Sequence, residues 1–206
     1  MIGQAADAGV RYVSLEFLKL PIESRSGIID EISEIIGYSL RDYYEAKGMF
    51  QVGPDVTLGT PHKLAFLREA RAFASKLSVS VGAGDTELIH LSDGAGCCNG
   101  SSLFLHDSNV FDANFTGILK ERRKDGLFSF DDLKKKWSPT RPVSTYLMTD
   151  SRLKSRVQGL TEWQSLMAQR WEKGRSVYSP LFFAGVTDSG QRDAEGRTIY
   201  RYESPV

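Results

Sequence analysis

Two alternating stretches, Arg11-Tyr-Val-Ser-Leu-Glu-Phe-Leu-Lys-Leu20 and Ser78-Val-Ser-Val-Gly82, flank a long segment whose apolar side chains recur at helical spacing. Strands separated by helical patterns favour a parallel sheet with helices packed outside it, which makes the chain α/β. Two strands cannot complete such a sheet.

The helical signals between them are specific. Ser26 is placed to cap a helix in which Ile28, Ile29, Ile32, Ile35 and Ile36 form one apolar stripe opposite Asp30, Glu31 and Glu34. A shorter helix is expected over Leu40 to Ala46, followed by a loop from Gly48 to Gly59 with a brief extended piece. Thr60-Pro61 reads as a cap and a first-turn proline, and Phe66, Ala70, Phe73 and Leu77 share the apolar face of the helix that follows. Ahead of the first strand, residues 2 to 9 read as the last turns of a helix stopped by Gly9, as if the chain were entered in mid-fold.

Alternation places Val13, Leu15 and Phe17 on one face of the first strand and Tyr12, Ser14, Glu16 and Leu18 on the other. In a β/α barrel the first face would lie under the outer helices, and Glu16 would sit at the rim where barrel active sites form. On an edge strand Glu16 would simply face water, and both placements stay open.

The chain carries 206 residues with formal net charge zero, unevenly spread: 5 Lys/Arg against 9 Asp/Glu in residues 1 to 60, and 11 against 5 in residues 120 to 156. The basic segment either faces phosphate or forms a solvated helix surface, since Lys134, Lys135 and Lys136 point all round a helix. No apolar run approaches the roughly 20 residues that span a bilayer, and the first residues lack a secretory pattern. With two cysteines, a reducing cytoplasm is the expected compartment.

Both cysteines lie side by side in a glycine-rich turn, Asp93-Gly-Ala-Gly-Cys97-Cys98-Asn-Gly100. Two adjacent thiols cannot by themselves hold an iron-sulfur cluster or a four-cysteine zinc site. Zinc held by His90, His106, Cys97 and Cys98, with Asp93 between, has no finger-like spacing, and His90 among Leu88, Ile89 and Leu91 reads as a hydrogen-bonded, partly buried histidine. His62 is expected to face solvent, and Asp85 and Glu87 carry no assigned catalytic work.

The order Ala6-Asp-Ala-Gly-Val-Arg-Tyr-Val13, Leu18-Lys-Leu-Pro21, Lys63-Leu-Ala-Phe-Leu-Arg-Glu-Ala70 and Asp93-Gly-Ala-Gly-Cys-Cys-Asn-Gly100 resembles the later half of radical S-adenosylmethionine enzymes of the spore photoproduct lyase-like, "DNA repair photolyase" group. The resemblance covers about residues 2 to 105. It implies the C-terminal part of a partial (β/α) barrel, in which a [4Fe-4S] cluster cleaves S-adenosylmethionine to a deoxyadenosyl radical. Glu16 to Leu20 would then end a late barrel strand, with Leu18 an apolar neighbour of the cofactor's adenine. Cys97 and Cys98 match tail cysteines of the group, open to three roles: hydrogen-atom donor, ligand completed by another segment, or redox pair. The group's Cys-x3-Cys-x2-Cys loop is absent from this sequence, as is the glycine-rich segment that contacts the cofactor. The resemblance therefore implies a chain inactive alone, binding no cofactor by itself, whose N-terminal radical half is a partner chain or has been lost.

Residues 106 to 206 read as a mostly helical extension. Helices are expected over 114 to 123, 129 to 137 and 161 to 171, the last with Trp163 and Trp171 as packing groups; Phe182 to Val186 and Thr198 to Tyr202, across the turn-rich Asp188 to Gly196, form a terminal hairpin or a loose tail. The alternative function is a stand-alone accessory module that binds nucleic acid or a protein partner through residues 120 to 156.

Overall fold

A computed structural model describes residues 1–22, 26–93, 114–122, 126–140, 142–143, 156–174, 176 and 178–205. Cys97, Cys98 and His106 lie outside the described residues. The fold is mixed α/β, built on three small sheets, and the described strands close no barrel.

The chain opens with α1 (Ile2–Asp7), and Gly9 ends it in the left-handed region at φ +85°. The Gly9 amide donates to Ala6 and the Val10 amide to Ala5, a pattern that satisfies the last helical carbonyls. The expected long strand is two pieces. β1 (Tyr12–Leu15) pairs parallel with β5 (Ser80–Ala83), Tyr12 opposite Ser80 and Leu15 opposite Ala83. The chain then leaves that sheet, and β2 (Leu20–Pro21) joins an antiparallel one with β4 (Asp55–Thr57) and β3 (Phe50–Val52). The segment expected as loop with a brief extended piece is thus a hairpin.

Between β1 and β5 lie α2 (Ser26–Ile36), α3 (Leu40–Ala46) and α4 (Thr60–Lys76). The isoleucine stripe of α2 is only partly covered: Ile29 is buried and Ile32 packs beside it, whereas Ile28, Ile35 and Ile36 are exposed. Ser39 caps α3 by accepting from the Asp42 amide. Gly59, rather than Thr60, occupies the N-cap position of α4, and Pro61 follows in the first turn.

The face that α4 buries is Lys63, Leu67, Ala70 and Ala74. Phe66 and Phe73 flank it and are each 49% exposed, so the expected stripe is rotated toward the side bearing a lysine. Ser78 closes α4 instead of opening the next strand, since it sits at φ +55° while the Val79 amide returns to the Ala74 carbonyl. Val13, Leu15 and Phe17 pack under α1 and α4 with Leu67, Ala74 and Val81, the face that alternation assigned them.

After a 3-10 turn (Thr86–Leu91) and the 94–113 interval, the rest is a second mixed assembly. Helices α5 (Phe115–Glu121), α6 (Phe130–Lys134) and α7 (Leu160–Trp171) surround an antiparallel sheet ordered β6 (Gly126–Phe128), β8 (Thr198–Tyr202), β7 (Val186–Arg192). The terminal hairpin is present with its second arm where expected, but its first arm is Val186–Arg192, which takes in residues expected as turn, while Pro180–Phe182 forms a 3-10 turn; β6 adds a strand that the sequence did not announce. Ser129 and Asp132 form a capping box at α6. Trp163 and Trp171 are fully buried packing groups. Trp171 meets Phe128, Phe130 and Tyr200 edge to face, and its indole donates to the Thr198 carbonyl.

The two assemblies are joined by polar bonds. The Ala184 amide donates to the Glu87 carbonyl, Lys120 Nζ to the Ser92 carbonyl, and Arg68 Nε to the Pro205 carbonyl at 2.7 Å. His90, 4% exposed, donates from Nε2 to the Ala184 carbonyl and packs edge to face on Phe183 and Tyr202. It is the hydrogen-bonded histidine expected, and more deeply buried.

Burial holds the His90 imidazole neutral, down to about 3, with the Ala184 hydrogen bond opposing that shift and the Lys120 charge adding to it. The unfolded chain takes up this proton near pH 6.5 and the folded chain does not, so stability is lost as pH falls between about 6.5 and 3. Urea denaturation at pH 7 and pH 5 is expected to show a loss of about 2 kcal/mol from this group, and His90→Gln to remove most of it. An unchanged pH slope in the variant would mean that His90 is not the group responsible.

Candidate functional site

The C-terminal ends of parallel strands place backbone and side chains at an open rim, and here the ends of β1 and β5 meet around one buried cation. Lys63 is 0% exposed in the first turns of α4, where a positive charge gains nothing from the helix dipole. Its Nζ donates to Asp85 Oδ1 at 2.8 Å and to Glu87 Oε1 at 2.7 Å, with both carboxylates under 4% exposed. The ammonium also lies 5.5 Å from the centroid of Phe17 and 5.4 Å from that of Phe50.

This cluster fixes the end of β1. Asp85 Oδ2 accepts from the Phe17 amide at 3.0 Å, and the Gly84 amide donates to the Leu15 carbonyl at 2.7 Å. A Cβ on Gly84 would stand 3.0 Å from that of Glu16, so the glycine lets the two strand ends close. The next carbonyl, Leu18, accepts from Tyr44 Oη at 2.6 Å. Burial, then the charge of Asp85, pushes that phenol up to about 12, which keeps it a donor at any working pH.

Glu16 and Leu18 stand on this rim with exposed side chains. Glu16 is paired with Lys19 at 2.8 Å, and Leu18 is 52% exposed. The structure therefore brings the predicted Glu16 and Leu18 to one strand end, beside the cluster that sequence reasoning passed over. Asp85 and Glu87, given no role from the sequence, are two of its three members. Lys63 was visible as a lysine on the i, i+4, i+7, i+11 stripe it shares with Leu67, Ala70 and Ala74.

The far edge of β5 is closed by side chains in place of a strand. The Asp93 amide donates to the Val81 carbonyl, while Asp93 Oδ2 accepts from the Val81 amide and Ser92 Oγ from the Ala83 amide, both at 2.8 Å. Arg71 Nη2 holds Asp93 Oδ1 at 2.6 Å, so the residue from which the cysteine turn departs is anchored. Among the described residues no strand pairs with the other edge of β1.

Among the described residues no group of three or more His, Cys, Asp and Glu is arranged to hold a metal ion. His62, expected in solvent, is half-buried with Nε2 3.0 Å from Tyr43 Oη. No described helix is long and apolar enough to cross a membrane. Comparison with known proteins gives no matching family model, no similar curated protein and no similar solved structure.

Removing one partner of a buried ion cluster leaves uncompensated charge, which costs about 3–5 kcal/mol. Lys63→Met is expected to destabilise the chain by that amount in urea denaturation, and Lys63→Met/Asp85→Asn/Glu87→Gln to recover a large part of it. A loss below about 1 kcal/mol in the single variant would contradict the structural weight given to Lys63.

Proposed function

We propose that this chain supplies the C-terminal wall of a radical S-adenosylmethionine iron-sulfur enzyme of the spore photoproduct lyase-like group, with the cluster loop supplied from outside these 206 residues. The observation that carries the reading is the asymmetry of the β1–β5 pair. Its β5 edge is capped by Ser92 and Asp93, whereas β1 has no described neighbour on its other side, as a late strand pair in a partial barrel requires.

The flanks of α4 agree with this. The side toward β5 is closed by the Arg71–Asp93 pair, and the side toward β1 ends in exposed Phe66 and Phe73, which lie against Phe17 and Gly3. A parallel strand added to β1, with its helix, would cover that apolar surface and satisfy the outward Ser14 backbone.

The donors of this chain do not fit a [4Fe-4S] cluster, since its two cysteines are adjacent and three separated thiolates are required. The cluster and the reductive cleavage of S-adenosylmethionine therefore belong to the other half. What this chain contributes is a rigid rim: Glu16, the Phe17 amide and Leu18, held by Asp85 and Tyr44. Cys97 and Cys98 follow the Asp93 anchor in sequence and are the thiols available for hydrogen transfer or redox work.

The nucleic-acid alternative draws on the basic segment, where Lys134 pairs with Asp131, Lys135 with Asp132 and Lys136 with Glu121. Those pairs lower the free positive charge that phosphate binding needs.

Anaerobic reconstitution tests the main reading. The full chain is combined with a polypeptide of the same group carrying the Cys-x3-Cys-x2-Cys loop, together with iron, sulfide, reductant and S-adenosylmethionine, and 5′-deoxyadenosine is quantified. Product is expected only from the pair. Product from this chain alone, or none from a pair that holds an intact cluster, would overturn it.

A further inference from the structure

Away from the β1–β5 rim, a cavity of about 310 Å3 opens where the β3 hairpin meets the N-terminus of α4 and the 3-10 turn Pro180–Phe182. That volume is at the lower end of the range for small-molecule sites. Every side chain that lines it is uncharged.

Two aromatic rings, Phe50 and Phe182, contribute to the walls, with Met49 and Leu181 beside them. Met49 and Leu181 are 41% and 40% exposed, large apolar groups left in water where a bound apolar body would cover them. The floor is backbone. A Cβ on Gly59 would stand 2.6 Å from the Gly48 carbonyl oxygen and 2.5 Å from that of Lys47, so these two segments are in direct contact and cannot close further.

The polar groups are few and neutral. Gln51 donates from Nε2 to the Gly53 carbonyl, which leaves its Oε1 as an acceptor, and Thr60 brings a hydroxyl. The α4 terminus offers no anion cradle here. Pro61 has no amide hydrogen, and the His62 and Lys63 amides both turn back to the Gly59 carbonyl. A cation is disfavoured as well, since no carboxylate lines the cavity and the Lys63 ammonium, 5.4 Å from the Phe50 centroid, already makes the cation–π contact of that ring. With its density drawn toward Lys63, Phe50 stacks better on an electron-rich ring.

We infer that this cavity is a binding site for an uncharged, electron-rich aromatic or heteroaromatic ring system of one or two fused rings. The ring lies against Phe50 and Phe182, its edge meets Gln51 Oε1 and the Thr60 hydroxyl, and Met49 and Leu181 close over it. The occupant is selected against charge at both signs, since neither an anion nor a cation finds a partner among the lining groups.

Indole is the probe, titrated into the isotopically labelled full chain and followed through the amides of Gly48, Met49, Gly59 and Thr60. Saturable shifts confined to those residues and the 180–182 turn are expected, with benzoate and benzylamine binding at least tenfold more weakly. Met49→Ala and Leu181→Asp, both at exposed positions that leave the core intact, are expected to weaken indole at least fivefold. Shifts that are dispersed or do not saturate would overturn the site. So would variants that bind as the unaltered chain does, while benzoate binding tighter than indole would show an anion site instead.

Discussion

The buried contact of Lys63 with Asp85 and Glu87 is the interaction on which the N-terminal assembly depends. A single ammonium between two carboxylates leaves a net negative charge in the interior, and each member has been taken out of water at a cost of several kcal/mol. That cost is offset because Lys63 donates to both carboxylates, Asp85 accepts in addition from the Phe17 amide, and two aromatic rings approach the ammonium. The cluster joins three elements distant in sequence: the end of β1, the start of α4 and the turn after β5. A hydrophobic replacement could hold the same volume, but it could not fix the Phe17 amide. The position of the Glu16–Leu18 rim therefore follows from an electrostatic arrangement rather than from packing.

From that fixed point the described residues close the fold in one direction and add no strand in the other. Toward β5, the side chains of Ser92 and Asp93 take the place of a strand, Arg71 secures Asp93, and the second assembly is tied on through Glu87, His90 and Ser92. Toward β1, the backbone of Ser14 and the rings of Phe66 and Phe73 face outward. Exposed strand edges are usually covered, twisted or charged in natural proteins, and among the described residues no strand covers this one. The asymmetry gives the proposed role its physical content.

The helices and both members of the parallel pair were legible because each satisfies a local period: apolar residues three and four apart in α2, α4 and α7, and alternation through Val13, Leu15 and Phe17. The burial of Trp163 and Trp171 followed from the same spacing. What the sequence concealed was of two kinds. Short strands such as β6, three residues long, have no period to read and exist because β8 pairs with them. Buried charge is the other kind, since Lys63, Asp85 and Glu87 are separated by 22 and 24 residues and each alone looks like surface. The α4 stripe was misaligned for that reason: discounting the lysine rotated the inferred face toward Phe66 and Phe73. Alternation gave Glu16 and Leu18 a shared face; the structure puts both just past the end of β1, and their exposure depends on how the chain leaves β1 for β2.

The two edges of the β1–β5 pair differ in how their backbone groups are satisfied, and amide hydrogen exchange of the full chain measures that difference residue by residue. Val81 and Ala83, whose amides donate to Asp93 and Ser92, are predicted to exchange slowly, while Ser14, which faces away from β5, exchanges near the rate of an unprotected amide. Slow exchange at Ser14 in the chain alone, comparable to that of Val13, would show that the β1 edge is already satisfied and would contradict the account.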